Sequence, residues 1–338
     1  GDETAVMDYE SFGEKPLLPA LTSLRRLAMA MHGDIAPSMV RWHKLGSGVI
    51  GPFVAAFCSW IVNMAQREKV DAIVPLMREA VLLTPMLKAE IERRNLVIPI
   101  LPLYVSRQSV VLAGKTDFNT ELFDSMARTR QYFKIRELLS TLEFDGIPEQ
   151  FADHIDTYLE NARTVTLDSG QTLYESLEAY LLEDSNKQRI NGAIKDKRDA
   201  LAGYINGVLG ENRKVATVDL GFFGQIQEGI EAACKLAGEK RDWLHLMGFG
   251  RERTATLIAK GMQLRFFGGG MGCSKQLVGM VHRSGPVLEQ LFMLEEGSTL
   301  GYAPEDDGGW KPVLEENPIP PEEIEIKRVV QDGVRRFQ

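Results

Sequence analysis

The sequence predicts an α/β protein, a mostly parallel sheet covered by helices, with a large α-helical insertion. Two observations carry that expectation. Short apolar runs of strand length, Val70–Met77, Ile98–Val105, Lys214–Asp219, Trp243–Phe249 and Met262–Phe267, alternate with stretches of helical period. Parallel sheets collect their strands in this way. From Asp117 to Leu209, by contrast, the β signal fades and helical period takes over.

Residues 1–17 read as a loose lead-in, and Leu18–Met31 sets Leu21, Leu24, Leu27 and Met31 on one helical face. His32–Ser47 is turn-rich. Val49–Ala65 then places Ile50, Phe53, Val54, Phe57, Trp60, Ile61 and Met64 at helical spacing, with Pro52 suited to a first turn. This run falls short of the roughly 20 apolar residues that cross a bilayer, so a buried helix and no membrane span are expected. Val70–Met77 suits a strand buried on both faces. In the helix that follows to about Arg94, either Thr84 caps a start before Pro85 or Pro85 kinks it. Pro99 and Pro102 make Ile98–Val105 a short or edge strand.

The helical region takes in Leu122–Met126, Tyr132–Leu142, Gln150–Asn161 and Thr172–Leu209. Strands return at Lys214–Asp219 and Trp243–Phe249, bracketing a helix over Gln225–Leu236, and again at Met262–Phe267. Gly268–Gly272 reads as a loop, Ser284–Leu294 as a helix and Ile319–Phe337 as a terminal helix. The expected organisation is a lead-in and helix over 1–44, an α/β core over 45–116 and 213–338, and a helical insertion or cap over 117–212.

Composition narrows the function classes. The 338 residues include 39 Lys and Arg against 47 Asp and Glu, a net charge of −8. With no basic block, nucleic-acid binding is not expected. The three cysteines are odd in number and far apart. They form no CxxC, so neither a disulfide framework nor a structural zinc is indicated. With an acidic N-terminus lacking an apolar segment, the expected location is the cytoplasm.

The most informative stretch is Lys214–Ala232, KVATVDLGFFGQIQEGIEA. A buried strand ends in Asp219, two glycines follow, and an amphipathic helix begins. Ligands of open α/β sheets bind at such strand ends, and phosphates favour helix N-termini. Asp219 is the candidate catalytic residue, able to bind a metal, accept from sugar hydroxyls or orient a base. Its alternative is to cap the N–H groups of a tight turn. Gly221 and Gly224 permit turn conformations closed to other residues, and Gln225 and Gln227 extend a polar rim. A second junction, Asp71–Leu83, carries Arg78 and Glu79: an anion-binding guanidinium held by a carboxylate, or a surface ion pair. Ser106 and Arg107 follow the Ile98–Val105 run and either grip phosphate or begin a polar loop. Arg283, beside His282, completes the candidates. GGGMGCSK at Gly268–Lys275 lacks the Walker pattern, and neither HExxH nor a GxSxG elbow occurs.

At these residues the chain resembles a poorly characterised bacterial domain found beside haloacid-dehalogenase-like and glycosyltransferase modules in surface-polysaccharide proteins. The counterparts are LGSGVIGP at Leu45–Pro52, LMREA at Leu76–Ala80, YVSRQ at Tyr104–Gln108, VDLGFFGQIQ at Val218–Gln227, LEQL at Leu288–Leu291 and GYAP at Gly301–Pro304. Met77 stands where that family has Ser, Glu79-Ala80 where it has Asp-Gly, and Gln225 where it has Thr. A more distant likeness is to phosphoribosyltransferases, whose paired acids are here Asp219-Leu220. The resemblance implies an anionic small-molecule ligand, a phosphorylated sugar or nucleotide-sugar, with group transfer as the reaction class. Mg²⁺ is the candidate cofactor, and a glycosyltransferase or haloacid-dehalogenase-like protein the candidate partner. A non-catalytic regulatory or scaffolding module for such a glycosyltransferase is the alternative.

Overall fold

Apolar runs buried on both faces build three of the four strands of the sheet. The computed structural model describes residues 19–129, 133–144, 146, 148–268, 285, 287–293, 296–316 and 319–338. Within them β1 (Ala72–Pro75), β2 (Lys214–Asp219), β3 (Asp242–Phe249) and β4 (Leu264–Gly268) pair in parallel, side by side in that order. Register sets Val74 beside Thr217 and Thr217 beside His245. The fold is α/β.

The expected strand over Ile98–Val105 is instead an extended edge segment that bridges β1 only at Ile73–Ile100 and Leu76–Leu103. Its N–H groups at Leu101 and Leu103 donate to Ile73 and Pro75, and the Pro99 and Leu103 carbonyls accept from Ile73 and Met77. The missing rung belongs to Pro75, which has no N–H to offer this neighbour. Pairing is therefore interrupted rather than absent.

Counting this segment, the spatial order of strands by chain position is 2-1-3-4-5. Such a doubly wound order reverses between the first and third strands, here β1 and β2, and opens a crevice beyond their carboxyl ends. One face of the sheet, carrying Ile73, Ala216, Val218, Leu244 and Leu246, is covered by α3 (Gly51–Glu68) and α4 (Ala80–Arg93). The other, carrying Ala72, Val74 and Val215, packs on α9 (Asp184–Leu209) and α10 (Gln225–Leu236). The α4 helix runs through Pro85, so it does not start at Thr84; the Val81 carbonyl gives up its usual donor.

The turn-rich expectation for His32–Ser47 holds over residues 32–39, where Gly33 has φ +56°, and is corrected from Val40 onward. After α1 (Pro19–Ala30), α2 (Val40–Leu45) continues through a π turn at Gly46–Ile50 into α3. The glycines of this segment serve close approach rather than turning. A Cβ on Gly46 would lie 2.0 Å from the Val330 carbonyl oxygen, and one on Gly333 would lie 2.3 Å from that of His43. Both partners lie on α2 or on the terminal helix α12 (Pro321–Phe337); α11 (Glu252–Ala259) connects β3 to β4. Counted through the π turn, Val40–Glu68 is 29 residues and long and apolar enough to cross a membrane by length and composition. Its Val54, Phe57, Cys58, Ile61 and Val62 are buried against the sheet side of the molecule.

Between the edge segment and β2 come α5 (Arg107–Val111), α6 (Thr120–Thr129), α7 (Ile135–Thr141), α8 (Leu173–Leu182) and α9. Gln150–Asn161, read as helical, forms only short 3₁₀ turns at Glu149–His154 and Asn161–Arg163. Phe118, Phe123, Leu138, Phe151 and Leu177 form a separate core here. The long α9 joins it to the sheet: Ile190 and Ile194 belong to the insertion's core, Leu201 and Ile205 to the sheet's.

A hairpin that the sequence reading missed, β5 (Thr299–Pro304) and β6 (Trp310–Leu314), covers the sheet's edge. Tyr302 stacks on Tyr204 at 4.7 Å. The Tyr302 hydroxyl donates to the Tyr104 carbonyl at 2.8 Å, and the Tyr104 N–H donates to the Tyr204 hydroxyl at 3.0 Å. Aromatic hydroxyls thus occupy backbone groups that an edge leaves open.

Candidate functional site

At the end of β2 the chain makes a turn that only glycine fits. Gly221 has φ +79° and Gly224, the N-cap of α10, has φ +70°. A Cβ on Gly221 would meet Met247 Cε at 2.3 Å, and one on Gly224 would meet Leu257 Cδ1 at 2.6 Å. Inside this turn Asp219, 8% exposed, accepts from the Gly221 N–H at 2.9 Å and from Gln227 Nε2 at 2.7 Å. A carboxylate has about four acceptor positions, so two remain for other donors. Asp219 therefore both caps its turn and faces the crevice. Gln227, 1% exposed, is a positioning residue for Asp219 rather than a rim group.

At the end of β1 the chain turns without glycine. Leu76, Met77, Arg78 and Glu79 lead directly into α4, with Glu79 as its N-cap and no side-chain capping bond. Ser106 caps the short α5: its Oγ accepts from the Ser109 N–H at 3.2 Å and donates to the Thr299 carbonyl at 2.5 Å. That hydroxyl's one proton is thereby committed to the hairpin, leaving Arg107 as the group of this pair with donors for an anion.

These junctions meet. Arg78, Glu79, Ser106, Arg107, Asp219, Gly221, Gly224, Gln225 and Gln227 all line one cleft of about 520 Å³ at the switch point. Arg283, the remaining candidate, lies outside the described residues, as do Cys273, His282 and most of the glycine-rich Gly268–Lys275 stretch. The cleft also contains Phe222, Phe223, Arg251 and Glu289, none of them among the residues expected from the sequence. Arg251 lies over the Phe223 ring at 4.9 Å and the Phe222 ring at 5.4 Å, a cation–π arrangement. A signal for it existed: Arg251 follows β3 at the same carboxyl edge. Glu289, from a helix over residues 287–292, had no local pattern beyond LEQL.

The electrostatics couple three acids with three arginines. Burial holds the Asp219 carboxyl above its ordinary pKa, while Gln227, the Gly221 N–H, Arg107 and His245 oppose the rise. Glu79 is raised by burial and then by repulsion from Asp219 and Glu289, with Arg78 opposing. Glu289 is raised by burial and by Asp219, against Arg107, Arg78 and Arg251. Such a set can hold a proton among its carboxyls near neutrality and offers guanidinium forks to an anion. Behind Asp219, His245 bridges Thr217 Oγ1 at 2.7 Å and Glu231 Oε1 at 2.9 Å. Among the described residues no three His, Cys, Asp or Glu side chains could hold a metal ion by themselves.

A scan for known protein families finds no match to this chain, and a search of curated proteins finds none either.

Proposed function

We propose that the cleft binds a phosphorylated sugar or nucleotide-sugar, of the kind used in bacterial surface-polysaccharide metabolism, and that the reaction it supports is group transfer. The observation that carries this reading is the convergence of Arg78, Arg107 and Arg251 with Glu79, Asp219 and Glu289 in one crevice. Guanidinium groups match phosphate oxygens bidentately, and carboxylates accept from sugar hydroxyls. Asp219, with two acceptor positions open, takes the hydroxyl role, and the backbone of Gly221–Gln225 faces the phosphate. The order of short motifs shared with the polysaccharide-associated domain supports the metabolic setting. Mg²⁺ enters this reading as part of a phosphate complex, whose charge would relieve the repulsion between Glu79 and Asp219.

The test is a thermal-shift screen with sugar phosphates, nucleotide sugars and phosphoribosyl pyrophosphate, each with and without Mg²⁺. At least one compound is expected to raise Tm by several degrees, and Arg107→Met and Asp219→Asn to remove that rise. If no phosphorylated compound stabilises the protein, the ligand reading fails and the scaffolding role takes its place.

A further inference from the structure

We infer that the ligand carries, beyond its phosphorylated sugar, an uncharged ring seated in a second pocket between the insertion and the sheet. This rests on the reading of the cleft just given. The pocket has a volume of about 190 Å³, and Arg107, Gln108 and Gln225 line both it and the cleft. The two are therefore neighbouring compartments with common walls, and one extended molecule reaches both.

The lining identifies the occupant. Val110, Val111, Leu122, Met126 and Phe133 supply apolar surface. Glu228, the one acid of the wall, is already engaged by Arg253 and Lys260, so no free carboxylate calls for a cationic guest. Of the basic groups that remain, Arg107 is shared with the cleft and Lys115 stands beside the apolar surface. Gln108, Gln225, Ser125 and Thr141 provide polar edges for ring heteroatoms. An apolar cavity of about 150 Å³ holds a benzene ring, so this one takes a single ring.

The pocket is also preformed. A Cβ on Gly229 would lie 2.6 Å from Val110, and one on Gly114 would lie 3.2 Å from the Ala232 Cβ. Glycines thus let α5 and the following loop lie directly on α10. Helix α9, packed into both cores, ties the insertion's wall to the sheet's. Little reorganisation then accompanies binding.

The experiment is calorimetric titration of the whole chain with ribose 5-phosphate and with ribose 5-phosphates bearing uracil, cytosine or phenyl at C1. At least one ring-bearing compound is expected to bind about tenfold tighter than ribose 5-phosphate. Ser125→Trp, at an exposed position on the rim, is expected to erase that increment while leaving ribose 5-phosphate binding within about twofold. Val111→Phe, filling the pocket from the other side, should do the same. Equal affinity for all four compounds, or an increment that survives both substitutions, overturns the pocket. If none of the four binds, it is the phosphorylated-sugar reading of the cleft that has failed.

Discussion

The two strand-to-helix junctions that meet at the crevice are built on opposite plans. At the end of β2, two left-handed glycines and Gln227 fix Asp219 in place. At the end of β1, no residue from Pro75 to Ala80 has a positive φ, and Glu79 makes no capping bond with its helix. Burial raises both acids, but donors oppose the rise at the first, whereas repulsion from the first raises the second further. The difference teaches a division of labour: the held carboxylate is suited to accept, the opposed one to carry a proton.

The sharpest way to break this comparison is to fill the glycine turn. Gly221→Val is expected to cost about 3 kcal/mol, through both the left-handed backbone and the clash with Met247. Urea denaturation measures it, and a loss under about 1 kcal/mol would show that the turn tolerates a side chain after all. Next, Gln227→Leu removes one of the two donors to Asp219 and should cost about 2 kcal/mol. The cost should grow with pH, because the ionised carboxylate gains more from the donor than the neutral acid does; equal losses at pH 5 and pH 8 would assign Gln227 to packing alone.

The smallest effect is a gain. A carboxyl whose pKa is higher folded than unfolded takes up a proton on folding. Its contribution is therefore best below the ordinary carboxylate range and deteriorates as pH rises through the raised value. Glu79→Gln, neutral throughout, is expected to stabilise the protein by about 1 kcal/mol at pH 8 and by nothing below about pH 4. Thermal denaturation across that range decides it. A pH-independent difference would remove the electrostatic contrast between the junctions.

Much of this was legible in the sequence because burial on both faces leaves an apolar signature. β1, β2 and β3 stand out for that reason, and Asp219 stands out because it ends such a run before two glycines. Three features were hidden by residues with two uses. Gly46 reads as part of a turn-rich stretch, yet with Gly48 and Gly51 it lies inside a helical segment. Two of them allow close packing against the terminal helix, Gly46 against Val330 and Gly51 against Phe337. Pro75 sits in a strand but silences one rung toward its neighbour. The β5–β6 hairpin was masked by its acidic, glycine-rich turn, although Asp307-Gly308 between two short runs is a recognised hairpin signal. Arg251 is signalled only by its place after β3, and Glu289 by nothing beyond LEQL, since it is the strand order that brings them to the crevice.

The glycine crossing of α12 over the α2–α3 segment has a consequence for how the chain is made. The long apolar helical segment Val40–Glu68 is synthesised well before the helix that seats against it through Val330 and Val334, which begins at Pro321. At roughly 5–20 residues per second, the intervening stretch takes roughly ten seconds to a minute to emerge. During that interval an apolar surface is without its late-arriving cover. Nascent-chain handling of residues 40–68, rather than the intrinsic speed of any single element, is then the step at which production of this protein is most exposed to chaperone supply.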